Sequence, residues 1–325
     1  MRRRIWLITV AAALLWLPSG WAAEGDWPKS IAIATASPGG TYYVYGQALA
    51  DILGKELGIE VTAQATQGTT RNIILIETGH AALGLITMGI GWEAWNGSGG
   101  WTKGQRFRAM RAILPMYDSP FQIAVAIRSN VKSFEQLGGK RIGAGPRGGT
   151  SGTYFPQIFE MLKIPAVVSY GSIEETMSQI AAQQLDGVVL ATGVPVPALF
   201  KLDQEQGMDF VPFTADQIKI IRQQMPELTD STIASGAYPS LTADYHTVGL
   251  FNFVVVNKDL PEDLVYRIVK AVFNKHAQLV KAHSAAGETI PANISRDTFL
   301  PVHPGALRYY REIGVDVPAV LAGDR

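Results

Sequence analysis

The sequence contains 325 residues, 47% hydrophobic and 17% charged, so it can bury the cores of two domains and we expect little disorder. Its 28 basic and 28 acidic residues cancel, and no basic stripe is interleaved with aromatic residues, so we expect no nucleic-acid partner. There is no cysteine, which excludes disulfides, thiolate catalysis and cysteine-bound zinc.

The N-terminus is typical of an export signal at residues 1–23. Three arginines at positions 2–4 precede an apolar run from Ile5 to Leu17, and cleavage is expected after Ala22 or Ala23. The apolar run is shorter than the roughly 20 residues that a membrane-spanning helix needs, which favours a cleaved signal over an anchor. We therefore expect a soluble periplasmic protein, and a monomer.

Short apolar runs then alternate with helical patterns, which predicts an α/β protein with mostly parallel sheets. A strand–loop–helix unit near the start is repeated in plan, though not in sequence, from residue 141 onward. The predicted strands are 31–34, 61–64, 82–87, 110–115, 141–144, 188–190 and 248–256, and the predicted helices are 45–53, 72–77, 154–162, 173–184 and 264–273.

The repeated plan predicts two lobes, each built around its own sheet. We place the first lobe at residues 27–119 plus 250–325 and the second at 120–249, with chain crossings near Ser119 and Gly249. A ligand cleft is expected between them, because ligand sites favour domain interfaces.

Two glycine-rich loops each join a strand to a helix, and each ends in Gly-Gly-Thr. The first is Ser37 to Thr41 and the second is Gly145 to Thr150. Glycine permits close approach to the backbone, and the first-turn N–H groups and dipole of a helix favour an anion. The pair of loops predicts two carboxylate-binding jaws, one from each lobe. A further loop, Thr66 to Thr70, contains a threonine that can cap the helix that follows it.

Enzymatic alternatives find weaker support. Gly143-x-Gly145-x-x-Gly148 formally matches a dinucleotide fingerprint, but no acidic residue ends a strand about 20 residues later. The segment around Ser151 approaches a nucleophile elbow, yet Thr153 replaces its closing glycine. The five histidines show no metal-binding spacing, and we expect neither a metal nor a cofactor. An exported hydrolase that uses Ser151 remains the enzymatic alternative.

Four side chains near the loops are candidate ligand contacts. Tyr42 or Tyr43 can donate a hydroxyl to an acid, whereas Tyr45 is expected in the core. Arg71 and Arg147 suit a bidentate carboxylate clamp, although an arginine on a loop is as often a surface residue.

At these loops the sequence resembles the TAXI family, the solute receptors of one branch of TRAP transporters. The resemblance is carried by 33–43, with its Ser-Pro-Gly-Gly-Thr-Tyr-Tyr, and by 63–69, 145–150, 247–249, 260–266 and 303–310. It implies a two-lobed periplasmic binding protein fold of type II-like architecture, each lobe a mostly parallel sheet flanked by helices. It also implies hinge closure on a small organic acid, such as a dicarboxylate, a 2-oxoacid, glutamate or 2-oxoglutarate, and delivery to a TRAP-type permease. A membrane sensor kinase is an alternative partner.

The resemblance adds Met88, on the loop after its strand, and the Thr192–Gly193 loop to the expected cleft. Gln67, Arg71 and Arg147 depart from the family pattern, at positions that would select the ligand. The predicted ligand-binding residues are Ser37, Gly39, Gly40, Thr41, Tyr42, Tyr43, Gln67, Gly68, Thr69, Thr70, Arg71, Met88, Arg147, Gly148, Gly149, Thr150, Thr192 and Gly193.

Overall fold

Two long strands, β4 (Met110–Ala126) and β10 (Tyr245–Asn257), run antiparallel through the middle of the protein. The computed structural model describes residues 27–323, so the predicted export signal at 1–23 lies outside the described residues. None of the helices between residues 27 and 323 combines the length and the apolar content that a membrane crossing requires.

The remaining strands join these two in one mixed sheet of ten, along the path β2-β1-β3-β10-β4-β7-β5-β6, with β8 on β4 and β9 on β10. Their bounds are β1 Ser30–Ala34, β2 Glu60–Gln64, β3 Leu83–Thr87, β5 Arg141–Gly143, β6 Val167–Ser169, β7 Gly187–Ala191, β8 Met208–Phe210 and β9 Thr229–Ile233. The pairs among β1, β2 and β3 and among β5, β6 and β7 are parallel, which confirms the predicted fold class of two mostly parallel units.

Ten α-helices cover the sheet. They are α1 Thr41–Leu57, α2 Thr69–Glu77, α3 Met88–Asn96, α4 Thr150–Met161, α5 Ile173–Ala181, α6 Pro197–Gln206, α7 Ala215–Gln224, α8 Glu262–Asn274, α9 His276–Ala282 and α10 Pro304–Glu312, among the residues described. The helix α8 buries Leu264, Val265 and Ile268, as its apolar spacing predicts.

Three local predictions need correction. The strand predicted at 110–115 continues to Ala126, because β4 exchanges its partner β10 for β7 and β8 beyond Pro120. No threonine side chain caps α2; its N-cap is Gly68, whose φ of 102° is in the region that favours glycine. Met88 does not lie on a loop but begins α3.

The proposed chain crossings lie side by side in the sheet. Ser119 pairs with Leu250 and Pro120 pairs with Gly249, at the point where β4 changes partners. Below, residues before Pro120 and after Gly249 are termed the first lobe, and residues 120–249 the second lobe.

Candidate functional site

A cavity of about 50 Å³ lies between the lobes, next to the carboxyl ends of β1, β5 and β7. Its wall combines glycine backbone, hydroxyl groups and a few aliphatic side chains. The lining residues are Ala36, Ser37, Gly40, Thr41, Tyr42, Gln67, Gly68, Thr69, Ser119, Ala144, Gly145, Pro146, Gly149, Thr150, Ser151, Ile173, Ala191 and Thr192.

Three helices with glycine N-caps begin at this cavity, and they come from both lobes; α5 also begins there, at Ile173. In the first lobe, α1 begins at Thr41 and α2 at Thr69, and in the second lobe α4 begins at Thr150. The first N–H groups of a helix have no partner inside it and carry partial positive charge. Both lobes therefore present hydrogen-bond donors and positive dipole ends to one small space, which suits an anion.

No side chain occupies the first N–H groups of these three helices as a cap, although the Thr70 N–H of α2 donates to the Gly148 carbonyl oxygen. The N-caps of α1, α2 and α4 are Gly40, Gly68 and Gly149, and in none does a side chain make a capping hydrogen bond. By contrast, α5 and α7 begin with capping boxes built on Ser172 and Thr214. Side-chain capping is thus used in this protein, at α5 even beside the cavity, but it is missing at the three helix ends with glycine caps.

Hydroxyl groups next to the cavity connect the lobes directly. Thr41 Oγ1 donates to the Gly193 carbonyl oxygen over 2.6 Å, and the Oγ1 atoms of Thr87 and Thr150 lie 2.6 Å apart. Both contacts are buried and both cross from the first lobe to the second. The structure is therefore closed around the cavity.

A buried amide supports the first-lobe wall. Tyr42 donates its hydroxyl hydrogen to Asn252 Oδ1, while Asn252 Nδ2 donates to the Tyr117 carbonyl oxygen at 2.6 Å and to Ser119 Oγ at 2.7 Å. Burial raises the pKa of Tyr42 well above its usual value, so the phenol stays neutral and acts as a hydroxyl. The Tyr42 hydroxyl also lies 3.2 Å from Thr87 Oγ1, which joins this group to the interlobe contact.

The cavity wall is electrically neutral. Among the residues that line it, all within the described part of the chain, there is no Asp, Glu, Lys, Arg or His. A charged ligand would therefore be held by N–H groups, hydroxyls and helix dipoles and not by an ion pair.

The structure brings together most residues of the first loop, the Gln67–Thr69 segment and the helix start after the second loop. The predicted residues that line the cavity are Ser37, Gly40, Thr41, Tyr42, Gln67, Gly68, Thr69, Gly149, Thr150 and Thr192. Those placed outside its lining are Gly39, Tyr43, Thr70, Arg71, Met88, Arg147, Gly148 and Gly193. Of these, Gly193 still contacts the site through Thr41, and Tyr45 is buried as expected.

The two arginines point away from the cavity. The Arg147 guanidinium carbon lies 3.8 Å from the ring centroid of Tyr170, a cation–π contact on the exposed side of the loop. Arg71 is exposed on the outer face of α2. The structure therefore places neither guanidinium where a carboxylate clamp inside the cavity would require it.

Ser151 lines the cavity but has no general base beside it. Its Oγ accepts a hydrogen bond from the Ala191 N–H at 2.8 Å. Within residues 27–323, no histidine or carboxylate forms a hydrogen bond with this hydroxyl. The arrangement fits a positioning or ligand hydroxyl and lacks the nucleophile–base pair of a serine hydrolase.

Sequence reasoning missed several residues of the site. Thr87 is the last residue of β3. Ligand sites lie at the carboxyl ends of parallel strands, so the argument used for the other strands also applied to Thr87. Asn252 interrupts the apolar run of β10, and a polar residue in a fully buried strand is a signal in itself. Ile173 gave no such signal. Ser119 and Ser151 were noted in the sequence, as a chain crossing and as a candidate nucleophile, but not as predicted ligand-binding residues.

The fold is similar to those of several solved proteins, two of which are periplasmic. MatC from Rhodopseudomonas palustris with bound malate has a TM-score of 0.58 and 12% identity, over 87% of this chain and 96% of that chain. The periplasmic binding protein BugD has a TM-score of 0.57 and 14% identity, over 88% and 98%. A periplasmic transporter has a TM-score of 0.56 and 14% identity, over 90% and 94%.

These similarities confirm the two-lobed periplasmic binding protein fold. The sequence itself matches the NMT1-like family over residues 33–314, from the first strand to the end of the last helix. The chain belongs to the NMT1-like family.

Proposed function

We propose that this protein is an extracytoplasmic solute-binding receptor that captures a small organic acid between its lobes. One observation carries the proposal: three helix N-termini with glycine caps, drawn from both lobes, border a single neutral cavity. Such ends stabilise a carboxylate without an ion pair. The MatC structure, with its bound malate, has the same fold and adds support.

The neutral wall also favours one class of acid over another. An amino acid carries an ammonium group, and burying that group without an acidic partner is costly. No carboxylate side chain lines the cavity within the described residues. We therefore infer that dicarboxylates and 2-oxoacids bind better than glutamate or aspartate.

The lobes are expected to move about the paired crossings at Ser119 and Gly249. Ser119 itself lines the cavity, so bending there would change the site and the lobe angle together. The resemblance to the TAXI family supports delivery of the bound acid to a TRAP-type permease. The predicted export signal supports a periplasmic location for the mature protein, which we propose is a monomer.

A thermal-shift screen with matched ligand pairs tests this function. Malate with aspartate, and 2-oxoglutarate with glutamate, differ within each pair mainly by an ammonium group. At a ligand concentration 1,000 times its Kd, a ligand that binds only the folded state adds about 4 kcal/mol and raises the melting temperature by several degrees. We expect this rise with malate or 2-oxoglutarate and a smaller rise with the amino acids. If no acid raises the melting temperature, the receptor proposal is wrong; larger shifts with the amino acids overturn the inferred class.

The placement of Arg147 gives a second expectation. Because its guanidinium stacks on Tyr170 outside the cavity, Arg147→Ala should change the affinity by less than about 1 kcal/mol, or roughly fivefold. Any effect should shrink as salt is added, since exposed charges are screened. Titration calorimetry with malate or 2-oxoglutarate at two salt concentrations measures this. A loss of affinity of 30-fold or more that is insensitive to salt would mean that Arg147 does contact the ligand.

A further inference from the structure

Two loops from opposite lobes meet at the rim of the cavity. They are Gln67–Thr70 in the first lobe and Pro146–Gly149 in the second, and we call them the gate loops. On the inner side their residues Gln67 and Gly149 line the cavity. On the outer side Thr70 and Gly148 line an open groove of about 620 Å³. The gate loops therefore form the wall between the cavity and this outer groove.

The gate loops are joined by direct hydrogen bonds. The Gly148 carbonyl oxygen accepts two of them, from the Thr70 N–H at 3.2 Å and from the Thr70 hydroxyl at 3.0 Å. Both bonds pass from one lobe to the other, and both partners belong to the protein. Closure of the wall thus requires no ligand atom.

The close approach depends on glycine. A Cβ atom built on Gly148 would lie 2.4 Å from Thr70 Oγ1, and one built on Gly68 would lie 3.0 Å from the Gly149 Cα. Gly148 does not have a positive φ, so alanine there is not strained by the backbone and acts only through this contact. Gly148→Ala is therefore a selective way to separate the loops.

We propose that the gate loops form a gate that closes in ligand-free protein as well as around a ligand, and that Gly148 and Thr70 set how often it opens. The inference rests on the proposed function only in taking the cavity as the place where the acid binds. Entry and exit would then wait for the gate, and Thr70 and Gly148 would control the exchange rate without touching the acid. They are positioning residues.

The test measures lobe separation without ligand. Because the sequence has no cysteine, cysteines introduced at the exposed positions Gln64 and Glu160 carry spin labels specifically. Distances between the labels are recorded by pulsed electron paramagnetic resonance, after native mass spectrometry has established that no small molecule is bound. We expect a closed, short-distance population in the labelled parent.

The variants should alter that population in a graded way. Gly148→Ala should raise the ratio of open to closed protein about tenfold or more, as expected from losing one to two hydrogen bonds, and Thr70→Val about threefold to tenfold. Gly100→Ala is the matched control, since Gly100 lines the same groove and a Cβ there meets no atom within 4 Å. Its distances should equal those of the parent.

Two results would overturn the gate proposal. One is a ligand-free parent protein that shows only the long distance between the two spin labels. The other is a folded Gly148→Ala or Thr70→Val with the parent's distribution. Thr70→Val decides the matter if Gly148→Ala does not fold. Both readouts are taken without any acid, so they are independent of the ligand screen.

Discussion

Gly40→Val is expected to lower the affinity for the captured acid by about 100-fold or more, about 2.7 kcal/mol, while the protein stays folded. Gly40 caps α1 at the cavity with φ −98°, a conformation open to any residue. A Cβ there would lie 2.9 Å from Ile173 Cδ1, the end of a flexible second-lobe side chain that can move aside. The valine would instead occupy the space through which an anion approaches the first N–H groups of α1.

Calorimetry with malate or 2-oxoglutarate, paired with thermal unfolding, separates binding from stability in this variant. Gly54→Val is the matched control on the same helix, because a Cβ at Gly54 meets only the Ile59 carbonyl oxygen at an ordinary 3.7 Å. Its affinity should equal that of the parent. Unchanged affinity in folded Gly40→Val would show that the acid does not rest on the start of α1.

The architecture was predictable because strand–loop–helix units leave strong local patterns. The strand at 31–34, its glycine loop and the helix after it were recognised from apolar spacing and loop chemistry alone. The full length of β4 was not recognised in the sequence. Pro115 and Pro120 argue against a central strand, since proline cannot donate to a neighbour. The structure accommodates Pro120 where β4 leaves β10 for β7.

The sequence predicted which loops form the site, but not the direction in which their side chains point. Strand ends at one sheet edge converge, so the loops at Gly40 and Gly149 could be paired from sequence. Whether Arg147 faces the cavity or the solvent depends on Tyr170. This residue lies in a different segment of the chain, and its ring contacts the Arg147 guanidinium outside the cavity. The same limit applies to Met88, whose place at the start of α3 turns its side chain into the protein core.

The contacts between lobes were beyond sequence reasoning altogether. The pairs Thr41–Gly193 and Thr87–Thr150 join residues that are 152 and 63 positions apart. No local pattern encodes which threonine meets which partner, because the match depends on how the two halves of the ten-stranded sheet are oriented around β4 and β10. The closed geometry therefore depends on contacts that no local pattern encodes, although propensity and periodicity predict the fold.

Asn252→Asp should reduce the free energy of unfolding by about 3 to 5 kcal/mol at pH 7. Asn252 is fully buried, and its Nδ2 donates to the Tyr117 carbonyl oxygen at 2.6 Å and to Ser119 Oγ at 2.7 Å. Tyr42 and Ser119 can still donate to a carboxylate, but the Tyr117 carbonyl cannot. The substitution would set a negative charge against that oxygen, and no cation is among the described residues that hydrogen-bond to the Asn252 side chain.

The loss should depend on pH in a defined direction. Burial favours the protonated carboxyl, which raises its pKa in the folded state above that in the unfolded state. The folded state then binds more protons, so the variant's stability falls as pH rises through this range, and the deficit should be smaller at pH 5 than at pH 7. Denaturant unfolding at both values measures it. Asn274→Asp, the same change at an exposed site, should cost about 0.5 kcal/mol or less. A deficit below 1 kcal/mol in Asn252→Asp, or one equal at both pH values, would mean that this amide is not the buried support that joins Tyr42 to the crossing at Ser119.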